Sequence, residues 1–170
     1  MSKPFSLFAS IHRRFNLFLV NRIYVGTKHY KTKRKLLNAI GYSIGDGTKV
    51  VGPIEVYGNL TVGKDCWIGK NLKINGNGSV TIGDNCDIAP EVTFLTGGHK
   101  IGTHERRAGE GESYNITVGN GVWIGARSTL LNNITIGTSS VVAACSCVVK
   151  SVAPNTLVAG VPAKCIKELV

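Results

Sequence analysis

Residues 118–148 read VGNGVWIGARSTLLNNITIGTSSVVAACSCV, and every sixth residue of this stretch is aliphatic. The recurring residues are Val118, Ile124, Leu130, Ile136, Val142 and Val148. A period of six is neither the two-residue alternation of a half-buried strand nor the three-to-four spacing of a helix. It is typical of a solenoid whose triangular coils each contain three short strands, because equivalent residues then stack along the axis.

The same period governs most of the chain. It runs through Ile44, Val50, Val56, Val62, Ile68 and Ile74, shifts by two residues across NGNGSV, and continues at Ile82, Ile88 and Phe94. Small residues recur four places after an aliphatic one, at Thr48, Cys66, Cys86, Ser128, Ser140 and Ser146. A random apolar pattern would not keep this phase. The sequence therefore predicts an all-β chain, with a parallel β-helix of hexapeptide repeats over residues 44–159.

Composition agrees with a folded all-β domain. Hydrophobic residues make up 43% of the 170 residues and charged residues only 18%, while glycine is abundant at 21. Such a chain can bury a core and contains many tight turns, which excludes a disordered protein. The five cysteines follow no pairing pattern, and no further ligands cluster with Cys145 and Cys147. We expect no disulfide framework, no metal site and a reducing, cytoplasmic location.

The positive charge is concentrated at the N-terminus. The formal net charge is +10, yet no acidic residue precedes Asp46, and nine of the 20 Lys and Arg residues lie before it. The remaining 11 basic residues face 10 acidic ones, so the repeat body is nearly neutral.

Residues 1–43 are predicted to form a basic, Phe-rich helical segment. Apolar residues recur there at spacings of three and four, at Phe5, Phe8, Ile11, Phe15 and Phe18. Arg13, Arg14 and Arg22 interrupt every run that could span a bilayer. Two interpretations stay open: a helix packed on the body or a neighbouring subunit, and a peripheral contact of residues 3–35 with the anionic inner face of a membrane. No nucleic-acid-binding motif is present, so we expect no nucleic-acid partner.

The repeat stops at residues 96–114, TGGHKIGTHERRAGEGESY. Insertions on repeat scaffolds often carry ligand sites, and loop closure costs little free energy. Of the four histidines, only His99 and His104 lie outside the basic segment. His99 follows directly from a coil, where a rigid scaffold holds it, so it is the candidate for chemistry in the loop 96–117.

Residues 81–130, TIGDNCDIAPEVTFLTGGHKIGTHERRAGEGESYNITVGNGVWIGARSTL, carry a more specific signal. The TGGH segment, the following ExR and GE and the VWIG motif resemble the galactoside and maltose O-acetyltransferases. The C-terminal AGVPAKCIKEL is also similar to the tail of that family, and the resemblance covers roughly residues 60–170. It implies a left-handed β-helix, a homotrimer with the site between subunits, acetyl-CoA as co-substrate and direct transfer to a sugar hydroxyl.

The resemblance also implies roles for individual residues. His99 would be the general base, because an imidazole with a pKa of about 6.5 can take a proton from a hydroxyl at neutral pH. Coenzyme A would contact Trp123, Ala126 and Ala144, and the tail residues 160–170 would bring Lys164 and Lys167 to its phosphates. The backbone N–H near Ala126 would donate to the oxyanion.

Two departures leave the acceptor open. The N-terminal segment is basic instead of containing acidic residues, and is more similar to that of acetyltransferases of polysaccharide assembly, whose acceptors are glycans. Asn77 stands where the sugar enzymes carry an aspartate in the acceptor pocket. Asn77, Arg106 and Glu110 are the candidates for binding the acceptor or orienting His99, and a backbone carbonyl is the alternative to Glu110 as the orienting group.

The same residues bear on other activities found on this type of solenoid. A carbonic anhydrase on this solenoid needs three histidines on zinc, and the body has two. A non-catalytic scaffold would need neither His99 nor the tail. Acetyl transfer to an amine, on an amino sugar or serine, remains the alternative within the enzymes, although 43 residues are too few for the long helical domain usual in serine acetyltransferases.

Overall fold

The computed structural model describes residues 7–170. Strands are numbered in chain order. Most of them belong to three sheets of parallel strands, and these sheets are the three faces of a triangular prism. Face A contains β1 (Ser43–Ile44), β4 (Asn59–Val62), β7 (Ser79–Ile82), β12 (Asn115–Val118) and β15 (Ile134–Ile136). Face C contains β3 (Ile54–Val56), β6 (Leu72–Asn75), β9 (Thr93–Leu95), β14 (Thr129–Leu131) and β17 (Cys147–Val148).

Face B extends to the C-terminus of the chain. Its parallel strands are β2 (Lys49–Val50), β5 (Trp67–Ile68), β8 (Asp87–Ile88), β13 (Trp123–Ile124), β16 (Val141–Val142) and β18 (Thr156–Gly160). A last strand, β19 (Ala163–Glu168), pairs antiparallel with β18. The C-terminal residues 160–170 are therefore not a loose tail, since most of them form an edge strand of this face.

The chain visits faces A, B and C in turn, and each coil stacks on the previous one. Every aliphatic position of the predicted repeat is buried, including Phe94 and the residues of the phase-shifted part. The predicted all-β class and the hexapeptide β-helix are thereby confirmed.

Small polar residues complete the interior at the corners. Thr48, Ser128 and Ser140 are fully buried, and each hydroxyl donates to a carbonyl of the next coil at 2.7–2.9 Å. Cys66 and Cys86 are likewise buried. A small hydroxyl or thiol fits here because it satisfies a corner carbonyl without filling the space that the aliphatic column needs.

The N-terminal segment covers the first coil. It consists of α1 (Leu7–Phe18), a π-helical turn (Leu19–Ile23) and α2 (Tyr30–Asn38), which confirms the expected helix; residues 3–6 of the predicted membrane-contacting stretch lie outside the described residues. The Asn21 side chain bonds both the N–H and the carbonyl of Ile54, at 2.9 and 2.8 Å. Within residues 7–170, no helix combines the length and hydropathy needed to cross a bilayer.

Candidate active site

A two-stranded hairpin, β10 (Gly97–Ile101) and β11 (Ala108–Ser113), leaves the solenoid at the corner between faces C and A. Two backbone bonds of 2.8 Å close its neck, from Thr96 N–H to the Asn75 carbonyl and from Tyr114 N–H to the Thr96 carbonyl. Gly76, with φ +121°, lies directly against the backbone of Gly97, and a Cβ there would collide with it. The NGNG phase shift in the sequence thus makes room for the base of the hairpin.

An irregularity in the hairpin positions His99. His99 is opposite Gly111 and Ile101 is opposite Ala108, so one residue of β10 faces two of β11, Gly109 and Glu110. This bulge brings the Gly109 carbonyl to 2.8 Å from His99 Nδ1. A carbonyl oxygen can only accept, so Nδ1 carries the proton and Nε2 of the neutral ring is left as the acceptor. The side chain is exposed, which gives a substrate access to Nε2.

Glu110 does not occupy the orienting position. Its carboxylate is 2.7 Å from the Lys100 ammonium, and both side chains are exposed. Of the two groups considered for orienting His99, the backbone carbonyl is therefore the one in contact with the ring.

The tip of the hairpin holds the remaining charged residues of the motif. His104 Nε2 lies 3.0 Å from the Glu105 carboxylate. The Thr103 hydroxyl beside Glu105 lowers the pKa of that carboxyl below its usual value. Arg106 is exposed, and among residues 7–170 no ion-pair partner faces its guanidinium. Its charge is available to an external group.

Tyr114 is a neighbour of the site that the sequence did not reveal. Its ring packs over the backbone of Gly98, next to His99, and its hydroxyl donates to the Glu112 carboxylate at 3.2 Å. Burial, and then the adjacent Glu112, raise the pKa of Tyr114 above its ordinary value. The position of Tyr114 beside Gly98 follows from the pairing of Gly98 with Glu112. Residue spacing alone does not determine that hairpin register, so the sequence did not predict it.

An open cleft of about 510 Å³ lies between α1 and the corner that carries the hairpin. Asn77 lines it, together with Ser10, Tyr57 and Asn59. Arg13 also lines it and is held in place by the Tyr42 hydroxyl at 2.7 Å and the Val56 carbonyl at 3.0 Å. Asn77 thus borders a cavity at the hairpin corner. The sequence did not predict that Arg13 and Tyr57 line the same cavity, because their positions there depend on how α1 packs on the solenoid.

The residues expected at coenzyme A form a second group. Trp123, which is 56% exposed, is in register with Val141, Leu157 and Lys167 across four adjacent strands of face B. Lys167 therefore lies in the same column as Trp123, about 14 Å away at the usual strand spacing. Lys164 is on the same edge strand as Lys167, opposite Ala159 of β18. The side chains of Lys164 and Lys167 are both exposed.

Ala126 and Ala144 lie one above the other at the corner between faces B and C. The Ala126 carbonyl accepts from Cys145 N–H at 2.9 Å, and Arg127 N–H bonds the Pro90 carbonyl at 3.0 Å. In the part of the chain that the structure describes, no acceptor faces the N–H groups of Ala126 and Ala144 themselves. Two backbone donors are thus available at neighbouring corners.

The two groups do not meet within one chain. The hairpin leaves at the C–A corner, whereas the alanines occupy the B–C corner and Trp123 lies on face B. His99 is three residues from Thr96 at the neck of the hairpin, so it lies about 10 Å along the strand from the corner. No cluster of three or more potential metal ligands occurs in residues 7–170.

Comparisons with known proteins identify close relatives. No protein-family model matches the sequence. The galactoside O-acetyltransferase of Escherichia coli K12 is 38% identical over 139 residues, which cover 81% of this chain and 68% of that protein. Among solved structures, a hexapeptide-repeat acetyltransferase of Vibrio cholerae in complex with acetyl-CoA superposes with a TM-score of 0.84 at 27% identity, covering 96% of this chain and 88% of that one.

Two further structures are similar to this chain to different degrees. A galactoside acetyltransferase in complex with coenzyme A has a TM-score of 0.81 at 29% identity, covering 99% of this chain and 86% of its own. An N-acyltransferase of Bacillus cereus has a TM-score of 0.66 at 18% identity, covering 85% of this chain and 92% of its own, which is a similarity of fold alone.

Proposed function

Because this chain belongs to the hexapeptide-repeat acetyltransferases of the galactoside O-acetyltransferase type, we propose that it transfers an acetyl group from acetyl-CoA to a sugar hydroxyl. The acceptor we propose is a glycan or a polysaccharide precursor. The chain is an acetyltransferase with acetyl-CoA as its co-substrate. The observation that carries base-assisted transfer is the contact of His99 Nδ1 with the Gly109 carbonyl, which leaves Nε2 as an exposed base.

The proposed reaction is a direct transfer. Nε2 of His99 takes the proton of the acceptor hydroxyl as its oxygen attacks the thioester carbon. The tetrahedral intermediate then expels the coenzyme A thiolate, which recovers the proton from the imidazolium. General-base assistance of this kind contributes typically about 10²–10⁴-fold to the rate. None of the five cysteines is required as a nucleophile.

The unpaired N–H at Ala126 is the donor we propose for the oxyanion of the intermediate, since a fixed backbone donor needs no reorganisation as charge develops. The N–H of Ala144, one coil away, would bond the pantetheine arm. Trp123 would contact the acyl end of the co-substrate, and the exposed ammonium groups of Lys164 and Lys167 would meet its phosphates.

We propose a cyclic homotrimer with each site between two subunits. The separation of the hairpin corner from the alanine corner supports it, because one chain alone does not bring His99 near the proposed oxyanion donor. The hairpin of one subunit would instead face the B–C corner of its neighbour. Closed cyclic symmetry then repeats the same site at every interface.

The acceptor would enter by the cleft beside Asn77. That cleft contains amide, hydroxyl and guanidinium groups from Asn77, Tyr57 and Arg13, which suit the many hydroxyls of a sugar. Arg106 at the hairpin tip is free to bind the far side of a larger glycan. The five free cysteines agree with the cytoplasm as the location, which we also propose.

The experiment that tests the function measures coenzyme A thiol release from acetyl-CoA over a panel of sugars, amino sugars and serine. Mass spectrometry and alkaline hydrolysis of the product then distinguish an ester from an amide. An alkali-labile sugar ester supports the proposal. A stable amide with an amino sugar or serine would replace it by N-acetyl transfer, and failure to bind coenzyme A would favour a scaffold.

A further inference from the structure

The apolar side of α1 points away from the protein. Its large side chains recur at spacings of three and four and are strongly exposed: Phe8 85%, Ile11 56%, Phe15 57% and Phe18 53%. The π-helical turn that follows leaves Ile23 57% exposed as well. A helix of a globular protein normally turns such a stripe toward the core, so this arrangement is inverted.

The opposite side of the helix is already docked, largely through polar groups. Asn16 is 3% exposed and its amide donates to the Leu36 carbonyl at 3.0 Å. Arg13 bonds the Tyr42 hydroxyl and the Val56 carbonyl, and Asn21 bonds the backbone of Ile54. These contacts fix the rotation of the helix, so the phenylalanines cannot turn inward without leaving several polar groups unpaired.

Basic side chains border the apolar stripe. At about 100° per residue, Arg14 lies on one edge of the stripe and His12 on the other. Further along, Arg22, Lys28, Lys31 and Lys35 are exposed, and no carboxylate of residues 7–170 forms an ion pair with them. No acidic residue occurs before Asp46.

We propose that α1 and the following basic residues lie on the surface of an anionic lipid bilayer. The phenylalanines would enter the boundary between headgroups and acyl chains, and the arginine and lysine side chains would reach the lipid phosphates. This interaction is independent of the acetyl transfer proposed above.

The charge distribution favours lipid over a second copy of this chain as the occupant. Two copies of this surface would bring together cations with no acids to offset them, which is unfavourable. The rest of the chain, from residue 46 onward, is nearly neutral and offers little attraction. In the proposed cyclic trimer, all copies would present α1 at the same end, so three weak contacts would add to one stronger attachment.

The test is co-sedimentation of the full-length protein with vesicles of phosphatidylcholine, alone or mixed with phosphatidylglycerol. We expect binding to the mixed vesicles that weakens with salt. Phe15→Ser with Phe18→Ser should lower the vesicle partition coefficient by about tenfold or more, because apolar area then leaves the bilayer. Arg14→Gln with Arg22→Gln should lower it too and reduce its dependence on salt.

Matched controls lie on the solenoid. Ile166→Ser removes an apolar side chain that is 59% exposed, and Lys49→Gln with Lys70→Gln removes two exposed charges. None should change vesicle binding, and thermal melts should show all variants folded. The proposal is overturned if the wild type binds neither kind of vesicle or binds both equally. It is also overturned if the control variants lose as much vesicle binding as the α1 variants. A different result would assign the surface to a second copy of the chain: the wild type does not bind vesicles, and the phenylalanine substitutions dissociate the oligomer in light scattering.

Discussion

Nδ1 of His99 lies 2.8 Å from the carbonyl oxygen of Gly109 on the opposite strand of the same hairpin. The contact fixes the tautomer of a ring that is otherwise exposed, and it depends on a bulge in which one residue of β10 faces two of β11. Because a backbone carbonyl cannot be removed by mutating a side chain, the orientation of His99 should resist substitution of its charged neighbours.

Glu110→Gln should therefore leave kcat within about threefold of the wild type, because the carboxylate pairs with Lys100 and not with His99. Steady-state thiol release measures this. Lys100→Gln removes the other partner of the same pair and is the matched control. A loss for Glu110→Gln of a hundredfold or more, with no such loss for Lys100→Gln, would make Glu110 the orienting group instead.

Mixed trimers test whether the site lies between subunits. Trimers of His99→Ala alone, or of Lys164→Glu with Lys167→Glu alone, should be inactive at low acetyl-CoA concentration. When the two variants are refolded together in equal amounts, about a quarter of the sites should combine an intact hairpin with an intact coenzyme A face. Recovery of activity toward that fraction supports a shared site. Mixed trimers that stay inactive would contradict it.

The hexapeptide period predicted the coils, and the reason is physical: a column of stacked aliphatic residues must repeat with the coil, and each of its members is buried. The period could not predict residues outside the column. Glu91 and Arg127, for example, both have left-handed backbone conformations at the corners and form an ion pair of 2.8 Å. The repeat does not specify which residue type occupies these corner positions. His99 stood out as an imidazole in an interruption, but its partner Gly109 depends on a bulge. Similarly, the spacing of phenylalanines predicted a helix but not which side of it would pack.

Lys33 is a buried cation whose removal should destabilise the N-terminal segment. It is 0% exposed, and its ammonium donates to the carbonyls of Gly26 at 2.6 Å and Val51 at 3.0 Å. Lys33→Met leaves the Gly26 carbonyl without this donor, so the free energy of unfolding should fall by roughly 1–3 kcal/mol. Urea denaturation measures it, with the exposed Lys31→Met as control. Equal stability of the two variants would contradict the structural role.

Stability should also depend on alkaline pH through Lys33. Burial lowers the pKa of Lys33, so between that lowered value and about 10.4 the unfolded chain binds more protons than the folded one. The free energy of unfolding of the wild type should therefore rise with pH in this window relative to Lys33→Met, and the gain should be lost as pH falls through the folded pKa. If the difference in the free energy of unfolding between the wild type and Lys33→Met stays constant or falls with pH, burial does not lower the pKa of Lys33.

The most direct test compares the kcat of acetyl transfer by His99→Ala and His104→Ala, with coenzyme A affinity measured separately by calorimetry. The two histidines belong to the same hairpin and both are exposed, so they differ chiefly in position. We predict that His99→Ala loses about 10²–10⁴-fold in kcat with unchanged coenzyme A affinity, while His104→Ala stays near the wild type. Undiminished activity of His99→Ala, or an equal loss in both variants, would contradict the assignment of His99 as the base.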